Sequence, residues 1–290
     1  MSKNNPFSHL FISLFIALFF IFSYNISAQG YYSDDLPEYL KNRGYGTPTS
    51  MFGTYIEKGE LRVYPFFEYY LHNNEEYAPS EFGYIGDTDF ESKFQEYEWL
   101  IFLGYGITDN LVIELEAAMT SATLEKADDD ESEMPKELSD SGIGDVQTQI
   151  NWRWISETYK RPTAFSYFEI VFPTVEEGSL IGTSDWEFKI GSGVEKGFKW
   201  GTLTGRASIE YIAEDSAFES GEFAVEYLKR LSQSWRIYAG IEGNSDELEL
   251  ITEAQWHLND EIFIKLNNAF GLTTSTSNWA PEIGIMFSFK

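Results

Sequence analysis

Cysteine is absent from all 290 residues, which excludes a disulfide framework, a thiolate metal site and the acylated cysteine of a lipoprotein anchor. Histidine is scarce, with three in the chain, so base chemistry has little to work with. His72 and His257 both stand apart from any evident cluster of serine and acid, which argues against a hydrolase and predicts that the chain is not an enzyme. Positive charge is also short: 20 Lys and Arg face 47 Asp and Glu, a net charge of -27. A phosphate backbone would be repelled by such a surface, so nucleic acid is excluded as a partner. Past the N-terminal region no apolar run is long enough to cross a bilayer as a helix.

At the N-terminus, Lys3 precedes an apolar run from about Leu10 to Phe22, and the small residues Ser27 and Ala28 permit cleavage before Gln29. Residues 1–28 therefore read as a secretory signal peptide rather than an anchor, because the run falls short of the roughly 20 apolar residues a spanning helix needs. The chain is rich in aromatics, 17% of its residues, with 23 glycines and only 9 prolines. That composition points to an ordered all-β protein. Residues 29–59 are dense in turn formers and read as an irregular leader to the first strand, or as a plug that folds back into whatever the strands enclose.

From residue 60 to 290 the dominant signal is alternation with a period of two. ELRVYPFFEYYL, from Glu60 to Leu71, places Leu61, Val63, Pro65, Phe67, Tyr69 and Leu71 on one face and Arg62, Glu68 and Tyr70 on the other. QEYEWLIFLGY and LVIELEAAMT set Glu96, Glu98, Glu114 and Glu116 opposite Tyr97, Trp99, Ile101, Ile113 and Leu115. Arg153 alternates with Trp152 and Trp154 in DVQTQINWRWIS. Glu187 and Lys189 lie in DWEFKIGSGVE, Arg206 and Glu210 in GTLTGRASIEYI, Arg236 in WRIYAGIEGN, Glu249 and Glu253 in DELELITEAQWHL, and Lys265 in EIFIKLNNAFGL. With TAFSYFEIVF, EFAVEYLKRL and the final APEIGIMFSFK, twelve such segments are found.

Connections between these segments alternate between short turns and longer loops, with the link after the ninth as the exception. A soluble sandwich has no reason to sort its loops in this way, whereas outer-membrane barrels keep short turns on the periplasmic side and long loops outside. Trp152, Trp154, Trp186, Trp235, Trp256 and Trp279 fall near segment ends, where interfacial girdles sit. The predicted fold is all-β, an antiparallel up-and-down transmembrane β-barrel of about 12 strands in the bacterial outer membrane.

Several stretches carry a more specific likeness. GYGITDNLVIELEAAM, SGIGDVQTQINWRW, GTSDWEFKIGSGVEKGF and NNAFGLTTSTSNWAPEIGIMFSF, spread from about Thr49 to the C-terminus, resemble the outer-membrane family named for transport in the meta-pathway of phenol degradation. Its most recognisable piece is the turn from Gly142 to Asp145 into a strand. The resemblance implies a β-barrel with an uptake role and supplies no catalytic residues. The closing strand, with Phe287 and Phe289 alternating, also resembles the signal read by the barrel assembly machinery, although Lys290 stands last where an aromatic is usual.

If the polar faces point inward, the residues predicted to line the lumen are Arg62, Glu68, Glu96, Glu98, Glu114, Glu116, Arg153, Glu187, Lys189, Arg206, Glu210, Arg236, Glu249, Glu253 and Lys265. Carboxylates dominate that set, and rings of carboxylate favour cations. The expected function is a channel or transporter for small solutes or cations, with lipid and lipopolysaccharide as surroundings. The alternative is a non-transporting barrel whose acidic loops serve as a surface element. Inward aromatics, Tyr64, Phe66, Tyr70, Tyr167 and Tyr238, read as space-filling. ADDDESE, from Ala127 to Glu133, offers Asp128, Asp129 and Asp130 as possible calcium or magnesium ligands, but it lacks the glycine and the spaced glutamate of an EF-hand loop. It reads as a solvated charge run, and no metal or cofactor is expected.

Overall fold

The computed structural model describes residues 36–213, 217–244 and 247–290; the signal-peptide reading of residues 1–28 lies outside them. After a single 3-10 turn at Glu38–Leu40 come two short strands, β1 (Thr47–Pro48) and β2 (Tyr55–Ile56). Twelve long strands complete the chain: β3 (Leu61–Tyr77), β4 (Phe90–Thr108), β5 (Leu111–Glu125), β6 (Glu137–Ile155), β7 (Thr163–Phe172), β8 (Glu187–Phe198), β9 (Gly201–Ile212), β10 (Ala217–Arg230), β11 (Trp235–Gly243), β12 (Leu248–His257), β13 (Ile262–Gly271) and β14 (Ala280–Phe289). Each pairs antiparallel with its sequence neighbours, and β14 returns to pair with β3, with Phe289 opposite Leu61 and Glu282 opposite Glu68. The sheet is thus a closed barrel. Closure leaves no strand edge with unpaired amides, which hydrocarbon would not tolerate.

The outer surface carries the apolar halves of the alternation. Trp99, Ile113, Leu115, Ile150, Phe168, Ile190, Ile209, Val225, Ile241, Leu266 and Ile283 are all exposed, a surface that water would penalise and acyl chains would not. A strand of ten residues at about 3.3 Å per residue and a tilt of about 40° rises about 25 Å, the height of the apolar band in such barrels. Rings of aromatics bound this band. At the short-turn end Trp235 stacks on Trp256 at 5.9 Å and Trp200 on Tyr227 at 5.9 Å; at the other end Tyr69 meets Tyr97 at 4.9 Å and Trp279 at 5.9 Å, and Trp186 lies 6.2 Å from Phe188.

Five strands run further than the alternation predicts, one of them β10, which begins at Ala217 ahead of the expected Glu222. β3 to β6 continue past their expected ends and stand above the upper aromatic ring, β6 starting at Glu137 rather than Asp145. Register shifts near His72, between Ala117 and Met119, and around Ile143 mark the transition. Above the membrane both faces of a hairpin meet water or loops, so the period-two apolar signal ends while the ladder continues. The inner side of this extension builds a small apolar core of Tyr77, Leu124 and Met134, packed with Phe82, Tyr84, Phe90, Phe94, Leu138 and Leu180. Loop residues therefore cover one side of the outer mouth.

At the short-turn end, the segment before β3 turns inward. Asn42 Nδ2 donates to the Phe198 carbonyl at 3.1 Å and Asn42 Oδ1 accepts from the Arg230 amide at 3.2 Å. The Arg153 guanidinium holds the carbonyls of Gly46 and Asp109. Residues 47–56 then form a hairpin, Thr47 opposite Ile56 and Pro48 opposite Tyr55, whose tip, Ser50 to Gly53, lies inside the barrel. The chain comes back to the short-turn end, where the Gly59 amide donates to the Gly106 carbonyl at 2.7 Å. Glycines make room for this finger: a Cβ on Gly106 would collide with the Glu57 carbonyl, and one on Gly197 with that of Tyr39.

Candidate functional site

The finger divides the lumen. Its tip is apolar on one side, where Met51 packs on the cluster of Tyr64, Phe66, Leu100 and Phe102, and where Phe52 stacks on Tyr238 at 5.1 Å. Its polar atoms find partners on the barrel wall. The Ser50 amide and hydroxyl both donate to Glu114, at 3.0 and 2.5 Å, and Asn151 Nδ2 donates to the same carboxylate at 2.5 Å. Tyr55 donates to Glu195 at 2.5 Å. Lys265 Nζ reaches the Phe52 carbonyl at 3.4 Å and pairs with Glu253 at 2.9 Å.

Arg43, at the foot of the finger, joins it to the wall. It pairs with Glu157 at 2.8 Å and with Glu195, and the three side chains are 4%, 1% and 1% exposed. Its guanidinium lies 5.5 Å from the Tyr55 ring, whose own hydroxyl reaches Glu195. Charges taken so far from water persist only because each satisfies the other.

Above the tip, toward the long loops, lies a chamber of about 330 Å³. Its walls carry Glu68, Glu98, Glu116, Asp145, Glu169, Glu222, Glu242, Glu249 and Glu282, against Lys189 and Arg206 as the cations. The charges are unevenly sorted around the barrel. On one wall Arg206 engages Glu226 at 2.9 Å, Glu222 at 3.7 Å and Glu242, while Lys189 pairs with Glu222 at 2.9 Å and Glu169 at 3.3 Å. On the facing wall the carboxylates have neutral partners: Glu98 accepts from Thr120 at 2.8 Å, Glu116 from Gln147 at 3.0 Å, and Glu282 from Asn267 at 3.2 Å and from the Tyr64 hydroxyl. Beside the tip lies a second, smaller space of about 30 Å³, lined by Tyr55, Gln149, Asn151 and Glu195 among others.

The residues expected to line the lumen therefore occupy three levels. Glu68, Glu98, Glu116, Lys189, Arg206 and Glu249 meet in the upper chamber. Glu96, opposite Tyr70, lies closer to the loops; Glu187 stands two residues before Lys189 on β8, and Glu210 on β9 is the cross-strand partner of Lys189. Glu114, Glu253 and Lys265 hold the finger itself. Arg62, Arg153 and Arg236 belong to the short-turn end, Arg62 paired with Glu60 at 2.9 Å. Alternation alone does not lead to Arg43, Ser50, Glu157, Glu195, Glu222 and Glu242 as a set. Parity marks the last three as inward, but nothing in a turn-rich leader indicates that Arg43 and Ser50 reach the wall.

Outside the lumen, Asp130 is turned into the loop core, where it accepts from the Tyr77 hydroxyl at 3.1 Å and the Ser132 amide at 2.7 Å. Burial pushes its carboxyl up, but the Ser132 amide and hydroxyl, the Tyr77 hydroxyl and Lys126 outweigh this and hold it below the ordinary aspartate value. Among the described residues no group of three acidic, histidine or cysteine side chains is arranged to hold a metal ion. His72 lies between Glu75 and the Thr274 carbonyl, and His257 is buried against Phe263 with ring centroids 4.6 Å apart.

No family model and no curated protein matches the chain, so the expected likeness to the phenol-degradation family is not confirmed. Solved structures do match. An outer-membrane channel from Pseudomonas putida F1 superposes with a TM-score of 0.58 at 10% identity, over 83% of this chain and 99% of that one. The KdgM porin gives 0.48 at 6% identity, over 79% and 99%. The Ralstonia pickettii toluene transporter TbuX gives 0.42 at 9% identity, over 81% and 90%. At such identities the first likeness is one of fold alone. A closed twelve-stranded antiparallel cylinder with an apolar, aromatic-bounded belt is the fold of a bacterial outer-membrane β-barrel, and this chain is one.

Proposed function

We propose that this barrel is a channel or transporter for small solutes, favours cations, and is restricted at mid-height by its own N-terminal finger. The observation that carries the proposal is the upper chamber, where nine named carboxylates face two cations across about 330 Å³. Low-dielectric walls focus that field and raise the local concentration of cations at the mouth. The chamber narrows onto Ser50, Met51 and Phe52, so passage requires the finger to shift or solute to slip beside it. Reversal potentials of the purified chain in planar bilayers, under a tenfold potassium chloride gradient, test the reading. A potential of the sign for cation flow supports it; anion preference, or no current at any voltage, overturns it.

The finger also favours a second reading, a barrel that transports nothing and presents its ordered loop core outside. Liposome swelling with sugars, small aromatic acids and organic cations separates the two, because that reading predicts no swelling with any solute.

A further inference from the structure

On its outside, the rim of the barrel at the short-turn end is not uniform around its circumference. One sector, built by the β6–β7 turn, the β8–β9 turn and the foot of β10, carries Lys160, Arg161, Lys199 and Lys229. Hydrogen bonds gather these pieces into one surface. Lys196 Nζ, near the foot of β8, donates to the carbonyls of Thr158 and Tyr159 at 2.8 and 3.2 Å, which fixes the first turn beside the second. Lys229 Nζ donates to the Lys199 carbonyl at 3.0 Å, and the Tyr227 hydroxyl to that of Trp200 at 2.6 Å, which ties the second turn to β10. The carboxylates of the sector are already engaged: Glu157, with a side chain 1% exposed, by Arg43 and Lys196, Glu195 by Arg43, and Glu38 by Lys41. None of Lys160, Arg161, Lys199 and Lys229 pairs with a carboxylate among the described residues. Across the rim the sign changes, since the β4–β5 and β12–β13 turns carry Asp109 and Glu261.

Aromatic neighbours set the depth of this patch. Trp154 and Trp200 are exposed on the outer wall just above it, in the ring that bounds the lipid belt at this end, and Tyr159 at the tip of the first turn is 81% exposed. Cations directly beneath such a ring stand at the level of lipid headgroups. We infer that this sector is a docking site for an anionic phospholipid of the leaflet on the short-turn side, its phosphate held among Lys160, Arg161, Lys199 and Lys229 and its acyl chains lying on Trp154 and Trp200. Charge complementarity gives the sign of the ligand, and the adjoining aromatic ring selects a lipid over a soluble anion. The long-loop end would repel the same headgroup, because its exposed charges are mostly carboxylates, such as Glu76, Asp87, Asp89, Glu133 and Glu177. A basic residue at an anionic surface is worth roughly fivefold in affinity, and the Arg161 guanidinium can take a phosphate through two parallel hydrogen bonds. Several such residues together predict a preference of about tenfold or more over a zwitterionic lipid, screened as the Debye length falls from about 10 Å at 0.1 M salt to about 3 Å at 1 M. The site stands whether or not the lumen conducts.

The test is native mass spectrometry of the full chain released from detergent micelles, titrated with dioleoyl phosphatidylglycerol or dioleoyl phosphatidylcholine in ammonium acetate. The first phosphatidylglycerol should bind about tenfold or more tightly than the first phosphatidylcholine at about 0.1 M salt, with the ratio falling toward one at about 1 M. Combining Lys160→Gln, Arg161→Gln, Lys199→Gln and Lys229→Gln should bring the ratio close to one at low salt and leave phosphatidylcholine binding unchanged. Lys93→Gln with Lys136→Gln, cations of the long-loop side, should leave the preference intact. Should the fourfold variant misfold, the pairs Lys160→Gln with Arg161→Gln and Lys199→Gln with Lys229→Gln should each lower the ratio in part. Equal affinity for the two lipids overturns the inference, and so does a preference that survives removal of these cations. Glycerol 3-phosphate bound as tightly as the lipid would also overturn it, by marking a site for soluble anions.

Discussion

Replacing Arg43 by alanine should release the finger without unfolding the barrel. The substitution leaves Glu157 and Glu195, each with a side chain 1% exposed, facing the lumen without their guanidinium partner. Glu157 keeps Lys196 at 2.6 Å and the Gly197 amide at 3.0 Å. Among the described residues Glu195 keeps the Tyr55 hydroxyl at 2.5 Å and Thr204 at 3.5 Å. Breaking a buried ion pair on one side costs about 3–5 kcal/mol, most of it the uncompensated charge. At 1.4 kcal/mol per tenfold, the ratio of docked to undocked finger should fall by roughly 10² to several times 10³. The barrel loses no ladder hydrogen bond, since Arg43 is in none of its strands. Limited proteolysis should therefore cut within residues 36–59 while the barrel keeps its heat-modifiable migration, and conductance should rise. Adding Glu195→Gln removes the stranded charge and should restore much of the protection. If Arg43→Ala leaves both protease protection and conductance unchanged, the reasoning about this ion cluster is wrong.

Other consequences are checkable in the same preparations. Gly106→Ala puts a methyl group against the Glu57 carbonyl, an overpacking of about 1–3 kcal/mol, and should expose the finger to protease more than an alanine at the unobstructed Gly205 does. Tyr77→Phe removes the hydroxyl that donates to Asp130 at 3.1 Å and accepts from the Ala127 amide at 2.8 Å. A loss of about 1–3 kcal/mol should then appear as proteolysis between residues 126 and 136, with reversal potential unaltered. At the root of β3, burial raises the Glu60 carboxyl, but Arg62, the Ser288 hydroxyl and the Glu57 amide prevail and hold its pKa below the ordinary value. A depressed acid stabilises fully above its unfolded value of about 4.3 and loses that contribution as pH falls through its folded value. The melting temperature should therefore differ between the parent and Glu60→Gln at pH 7, and the difference should close below about pH 4.

Much of this fold is legible in the sequence because the bilayer imposes a strict pattern. β7 and β9 begin and end at Thr163, Phe172, Gly201 and Ile212, as the alternation predicts. Both are strands whose apolar face stops where the membrane does. β6 departs from its expected start for the complementary reason: ELSDSGIG carries no alternating apolar face, since that part of the ladder stands above the lipid. The register shift at Ile143 also reverses which side chains point inward, so Leu138 joins the loop core, which parity carried down from Trp152 would not suggest.

The lumen is partly legible. Parity alone marks Glu68, Glu98 and Glu116 as inward, and they do meet in one chamber. It does not reveal that Arg62, Arg153 and Arg236 sit at the opposite end from them, because strand direction alternates and height is read only from the register. The finger is least legible, since SMFGTY has no period and is compatible with any turn. Its trace lies on the wall instead, in Gly104 and Gly106, inward positions without side chains, where a Cβ would strike Ile56 and Glu57. A row of empty inward positions on one strand is a signal that something else fills the space.

Which face of each strand meets lipid is the claim on which the rest depends, and β5 offers the most direct measurement. Spin labels on Ile113→Cys, Glu114→Cys, Leu115→Cys and Glu116→Cys in reconstituted membranes should alternate, with high oxygen accessibility and low nickel-chelate accessibility at 113 and 115 and the loss of oxygen access at 114 and 116. A flat profile, or an alternation of the opposite phase, would contradict an acidic lumen enclosed by a lipid-facing apolar wall.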